Sequence, residues 1–182
     1  MPRDIKPKSD CQKRILLDQL HRILCGYGKT PGYEAIVVVV DCDDRNCVDF
    51  LNELKGVARK SNAPSQTIFR LAIEEIEAWY LGDHAALQKA YPHAKSQVLK
   101  RYEQDTVCGT WELLADAVVK GGSTKIKTDG WPRPGQDKHD WAERIGPFMS
   151  LVDNESPSFK KLRDGLRQLV AADSHLASGT AT

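Results

Sequence analysis

Carboxylates gather at two places in this chain. Asp41, Asp43 and Asp44 close the apolar run Ala35-Ile36-Val37-Val38-Val39-Val40, and Glu74, Glu75 and Glu77 follow a second apolar stretch over 67–73. Clustered carboxylates repel one another, and a divalent cation with a taste for hard oxygen ligands relieves that repulsion. Such acids, lying beside scattered Lys and Arg, suit metal-assisted phosphoryl transfer, in which the ion stabilises charge on phosphate oxygens and activates a water or holds the leaving group. Two plainer roles compete. Asp44 can cap the next helix while its neighbours are solvated, and acids in a first helical turn face the positive end of the helix dipole.

The elements that must position these acids are legible from periodicity. Five β-branched residues in a row, Ile36 to Val40, cannot be the exposed half of an alternating strand, so the run is expected to be a strand buried on both faces of a parallel sheet. Ligands of such sheets bind just outside the carboxyl ends of the strands, which is where Asp41 and Asp43 fall. The second strand is expected over 67–73, beside the first. Leu16, Leu17, Leu20, Ile23 and Leu24 mark a helix before the first strand, capped by Ser9 or Asp10. Val48, Leu51, Leu54 and Ala58 mark another after it. Helix–strand–helix–strand order belongs to right-handed parallel crossovers. Glu74 and Glu77 share one helical face, so both are expected to reach the crevice that Asp41 and Asp43 approach.

Past Asp83, which is expected to cap a short helix, the chain reads as mostly helical. Thr110 caps one segment. Residues 121–136 read as a long irregular loop, of a length that is usually functional. Residues 137–145 form a helix, and a last helix starts at Ser156 or Ser158 with Pro157 in its first turn. That helix presents Lys160, Lys161, Arg163 and Arg167 opposite its apolar face. Residues 1–10 are expected to form an extended arm and 173–182 to fray. The division expected is an α/β core over 1–91, a helical part over 92–172 packed on it, and a tail over 173–182.

Composition narrows the function classes. The net charge is +1 over 182 residues, which leaves only a local basic patch to attract nucleic acid. Five cysteines without a Cys-x-x-Cys pair give neither a disulfide framework nor a thiolate zinc site. No apolar run approaches the roughly 20 residues of a membrane span and no signal peptide is present, so the expectation is a cytoplasmic protein without membrane contact. No phosphate-binding glycine loop, dinucleotide fingerprint or Gly-x-Ser-x-Gly motif occurs. The five histidines (His21, His84, His93, His139, His175) make no metal-spaced pair, and His139 is expected at the surface.

The strand ending Val-Val-Asp41-Cys42-Asp43, the phrase Ala72-Ile73-Glu74-Glu75-Ile76-Glu77-Ala78-Trp79-Tyr80-Leu81-Gly82-Asp83 and the terminal Ser156-Pro157-Ser158-Phe159 resemble the Toprim-related family 4276 of domains of unknown function. The likeness runs from Ile5 to Val170. Its Glu-x-Glu-Ala-Trp phrase is distinctive, whereas Asp-x-Asp is common. The resemblance implies a Toprim-like parallel sheet flanked by helices, kin to the RloB-like and OLD-type nucleases of phage defence. It implies Mg²⁺ or Mn²⁺ held by Asp41 and Asp43, with Asp83 as the closing acid, and Glu77 and Glu75 in catalysis. One feature departs from that family: Toprim domains open with an acidic strand, and this chain opens with a polar arm and a helix.

Two functions are therefore expected. One is a Mg²⁺-dependent nuclease or related phosphoryl-transfer protein acting on nucleic acid, with Lys160, Lys161 and Arg167 as phosphate contacts. The other is a catalytically silent Toprim-like module that docks on a partner ATPase through Trp111, Trp131 and Trp141, since aromatic residues are enriched at interfaces. The missing first strand favours the module. It also leaves one side of residues 37–40 to be covered by a groove, by the 1–10 arm or by a second copy in an oligomer, because unpaired strand edges are costly when buried.

Overall fold

The computed structural model describes residues 8–32 and 35–178, with side chains over 14–32 and 35–171. It is mixed α/β, 59% helical, with a small two-stranded parallel sheet flanked by helices. The order is α1 (Lys8–Tyr27), β1 (Ala35–Asp41), α2 (Cys47–Lys60), β2 (Gln66–Ala72), α3 (Glu77–Leu81), α4 (His84–Ala90), α5 (Ser96–Leu99), α6 (Thr110–Val118), α7 (Gly122–Asp129), α8 (Arg133–Ile145), a 3₁₀ turn (Gly146–Phe148) and α9 (Pro157–Ser178). Two compact units divide the chain, Met1–Val38 with Asn46–Phe69 and Val39–Arg45 with Arg70–Thr182.

In the first unit α1 packs on α2. Leu20 and Leu24 of α1, Phe50 and Leu54 of α2 and Phe69 of β2 are its buried apolar residues among those described. Asn46, not Asp44, caps α2: its side-chain oxygen accepts the N–H groups of Val48 at 3.0 Å and Asp49 at 3.1 Å. The hydroxyl of Ser61 meets the ring of His21 at 2.8 Å. The arm expected over 1–10 lies outside the described residues, apart from Lys8–Asp10, which already belong to α1.

β1 pairs with β2, as expected, but it is not buried on both faces. Its residues are half-buried or exposed, and Val39 is 42% exposed. The reason is the size of the sheet. Two strands give β1 one strand neighbour among the described residues, and β2 carries the buried Phe69, Leu71 and Ala72. A continuous apolar run reports β-branched propensity as well as burial, and here propensity dominates.

The second unit holds the larger core, built on Trp79, Leu81, Leu87, Leu114, Ile126, Trp141, Ile145 and Phe159. All five residues of α3 are buried. The ring N–H of Trp79 donates to the Ser158 hydroxyl at 2.8 Å, and the Trp79 ring meets Phe159 edge-on at 5.8 Å. Asn154 donates to the Trp79 carbonyl at 2.8 Å. Gly82 is required there, because a Cβ would collide with the side chains of Asn154 and Ser156.

Residues 121–136 form helices, contrary to the irregular loop expected. α7 escapes the periodicity argument because Ile126 is its one large apolar residue. Its start is fixed instead by Asp116, whose carboxylate accepts the Ser123 N–H at 2.6 Å, and by Lys125–Asp129 pairing at 3.3 Å. Gly122, at φ +64°, faces Asp116 so closely that a Cβ would clash. α8 then begins at Arg133, four residues earlier than expected. α9 extends to Ser178, so most of the segment expected to fray is helical. Trp141, expected at an interface, is 2% exposed and a core residue, whereas Trp131 is 86% exposed.

Candidate functional site

Parallel pairing sets the two acidic segments side by side. Beyond the strand ends the ladder continues, with Cys42 N–H donating to the Ala72 carbonyl and Asp43 N–H to the Glu74 carbonyl, both at 2.9 Å. The backbone then bends through 73–76 and α3 opens at Glu77. Glu77 is thereby drawn into the core at 1% exposure, while Asp41 keeps contact with solvent.

Three of the sequence-expected acids form an electrostatic cluster: Asp41, Glu75 and Glu77. Burial raises the pKa of each, and neighbouring carboxylates add to the rise, Asp43 and Glu74 at Asp41, Glu77 and Glu74 at Glu75, and Asp41 at Glu77. For Glu75 the result is a value pushed up to about 6. The charge of Lys138, and after it a hydrogen bond from the Ile76 N–H, draw Asp41 only partly back. Neither carboxylate oxygen of Glu77 makes a hydrogen bond of acceptable geometry.

The group that answers these acids is Lys138, on α8, which no local motif marked. Its ammonium lies 2.9 Å from Glu75 Oε2 and 3.5 Å from Glu77 Oε1. The nearer contact is an ion pair rather than an aligned hydrogen bond, since Glu75 Oε2 has no acceptor geometry of good quality. The same ammonium stands 6.0 Å from the centre of the Trp111 ring, where a cation is attracted by the ring face. Burial pulls the Lys138 pKa down, but the three acids outweigh it and leave it raised. The sequence carried one hint, the scattered cations needed for phosphoryl chemistry, and could not say which of them folds back.

The other expected residues fall elsewhere. Asp43 lies at the rim: it raises the pKa of Asp41, but its own carboxylate pairs with Arg45 at 3.0 Å. Asp43 takes a left-handed backbone conformation, φ +51°, which Asp tolerates better than most residues. Glu74 is turned away from the crevice expected for it. Its carboxylate accepts the N–H groups of Gly109 at 2.6 Å and Thr110 at 3.1 Å, capping α6 from a distance in sequence. Asp83 caps α4 through Ala86 N–H at 2.9 Å, and its second oxygen accepts Ser150 N–H at 2.6 Å. With both oxygens so occupied, Asp83 shares no contact with Asp41 or Asp43. Lys160, Lys161 and Arg167 make no ion pair with the cluster among the described residues; Arg167 instead lies 3.8 Å from Asp164. His139 is exposed, 3.4 Å from Glu143.

Among the described residues no three His, Cys, Asp or Glu side chains converge in an arrangement that could hold a metal ion as they stand. The donor set still suits a hard cation: three carboxylates, one of them buried with both oxygens free of hydrogen bonds. Comparison with family models, with curated proteins and with solved structures finds no match for this chain.

Proposed function

We propose that Asp41, Glu75 and Glu77, at the carboxyl ends of β1 and β2, form with Lys138 a Mg²⁺- or Mn²⁺-dependent phosphoryl-transfer site acting on nucleic acid, as in a Toprim-like nuclease. The observation that supports it is Glu77. A carboxylate buried with no hydrogen bond on either oxygen, and with Lys138 at 3.5 Å as its one cation among the described residues, is costly for a fold to keep ionised. A divalent cation supplies the missing compensation, together with charge stabilisation at a phosphate when substrate is bound.

The chain's own residues divide the work. Asp41 and Glu77 would hold the ion from the adjacent carboxyl ends of β1 and β2, with Asp43 available at the rim if Arg45 releases it. Glu75 is poised near neutrality at about 6, a value suited to passing a proton during transfer. Lys138 balances the acids before metal arrives and offers a positive charge to a phosphate afterwards. A setting in phage defence is what the family resemblance adds.

Mn²⁺ titration followed by electron paramagnetic resonance tests the site. Saturable binding is expected in the wild type, weakened at least tenfold in Asp41→Asn and in Glu77→Gln. Equal binding by the double variant would sink the proposal, as would no saturable binding at millimolar Mn²⁺. Cleavage of supercoiled and single-stranded DNA in Mg²⁺ then tests the activity.

A second reading has its own support. Lys138 already fills the place next to Glu75 and Glu77, and Trp131 is a large exposed aromatic between α7 and α8. Both suit a silent binding module that partners an ATPase. Such a module predicts no Mn²⁺ binding and loss of partner capture on Trp131→Ala.

A further inference from the structure

Beside the acidic cluster, α8 borders a cavity of about 370 Å³ on a different face. Arg133, Asp137, Trp141 and Arg144 line it from α8, each about one turn from the next. At about 100° per residue, Lys138 sits roughly a third of a turn round the helix from the centre of that face. Tyr91 and the turn from α6 to α7, including Lys120 and Lys125, complete the walls. The volume lies at the lower end of the roughly 300–1,000 Å³ usual for small-molecule sites.

The charges on this lining do not cancel. Lys120, Lys125, Arg133 and Arg144 oppose Asp137 and Asp140, four positive against two negative, a balance of +2. Arg133 and Asp137 neutralise each other through a 2.7 Å bond from Nε, and Lys125 pairs outward with Asp129 at 3.3 Å. Lys120 and Arg144 are left without an ion pair among the described residues. The Arg144 guanidinium stands 5.8 Å from the centre of the Tyr91 ring, and Asp140, one turn before it on α8, is the remaining acid of the lining. Two cations, one of them held against an aromatic ring, and the single acid Asp140 thus remain, a balance of +1, around a recess also lined by Trp141, Val118 and Val119. Planar guanidinium donors match phosphate oxygens two at a time, and an ammonium adds a point charge.

We propose that this cavity binds the phosphate of a nucleotide, with Arg144 and Lys120 as the phosphate contacts and Tyr91 beside the sugar and base. The phosphate could be carried by a free mononucleotide or by the terminal nucleotide of a nucleic-acid strand; the chemistry of recognition is shared. The site does not rest on the acidic cluster, and its test excludes metal.

Isothermal titration in EDTA, using the full chain, compares 5′-AMP with adenosine and a 5′-phosphorylated oligothymidine with its 5′-hydroxyl counterpart. At least tenfold tighter binding of one or both phosphorylated ligands is expected. Arg144→Ala and Lys120→Ala should each weaken it at least tenfold, while Lys55→Ala, at an exposed residue of α2 that does not line the cavity, should not. Preference for AMP identifies a free nucleotide as the source, and preference for the oligonucleotide identifies a strand end. The proposal is overturned if adenosine binds as tightly as AMP and the two oligonucleotides bind alike. It is equally overturned if nothing binds at millimolar concentration, or if both variants, shown by circular dichroism to be folded, bind like the wild type.

Discussion

Lys138 Nζ stands 3.5 Å from the buried Glu77 carboxylate, across 61 residues of sequence, and no other cation reaches Glu77 among the described residues. Removing it leaves two carboxylates with their repulsion uncompensated. Breaking a fully buried pair costs about 3–5 kcal/mol. Lys138 is 33% exposed, so screening by solvent reduces the expected loss to about 1–3 kcal/mol. Lys138→Met should therefore lower the urea midpoint at pH 7. The deficit should shrink as pH falls through about 6, where Glu75 takes up its proton. If the proposed metal site is correct, it should also shrink in millimolar Mg²⁺, because the ion replaces the missing charge. A deficit unchanged by pH would show that Lys138 acts through packing of its stem rather than its charge.

The titration of Glu75 has a definite sign. Burial, the largest cause, lifts its pKa from 4.5 to about 6, so the folded state holds this proton more tightly than the unfolded chain does. Between those values the folded protein binds more protons, and stability must fall as pH rises. The contribution is complete below about 4.5 and is lost as pH climbs through about 6. Glu75→Gln should flatten the stability profile across that window. Thermal midpoints at half-unit pH steps are the measurement, and identical slopes for wild type and variant would refute the assignment.

Parallel strands bring their carboxyl ends together whatever the details, which is why the sequence sets Asp41 and Asp43 against Glu74 and Glu77; the structure keeps Asp41 with Glu77 and puts Glu75 where Glu74 was expected. What the sequence could not supply was the aim of each side chain. Glu74 and Glu77 share a face only if the helix already runs through both, and it begins at Glu77. The bent backbone over 73–76 sends Glu74 to α6 instead. Lys138 was invisible for a different reason: its neighbours Asp137 and His139 give no pattern, and only the packing of α8 brings it to the acids. The run at Ile36–Val40 misled about burial because β-branched residues satisfy strand geometry whether or not both faces are covered. α7, with one core residue in eight, had no period to detect.

Asp105 fixes the start of α9 in the second unit. Its Oδ2 accepts the Ser158 N–H at 2.6 Å and its Oδ1 the Ser156 hydroxyl at 3.0 Å, beside the Ser158–Trp79 bond. It also holds a positive φ, +56°, that Asn tolerates and Ala does not. Asp105→Ala should thus cost about 2–3 kcal/mol, from the lost cap and the backbone together. Asp105→Asn keeps an acceptor and the conformation, and should cost about 1 kcal/mol or less. Urea denaturation of both variants separates these two contributions, and equal losses would mean that neither cap nor backbone preference decides the effect.

Glu74 offers the sharpest separation of scaffold from site, because it lies next to Glu75 in sequence yet faces a different element. Its Oε2 alone receives Gly109 N–H and Thr110 N–H, the donors at the start of α6 that no carbonyl satisfies. A charged acceptor there also complements the helix dipole. Glu74→Ala should destabilise the protein by about 1–3 kcal/mol, the cost of leaving partly buried donors unmet. Glu74→Gln should recover much of that loss through its side-chain oxygen. Neither change removes a group from the Asp41–Glu75–Glu77 cluster, so Mn²⁺ affinity measured well below the unfolding midpoint should stay within about threefold of wild type. A loss of Mn²⁺ binding in Glu74→Gln as large as that in Glu77→Gln would place Glu74 in the site and return the cap to a secondary role.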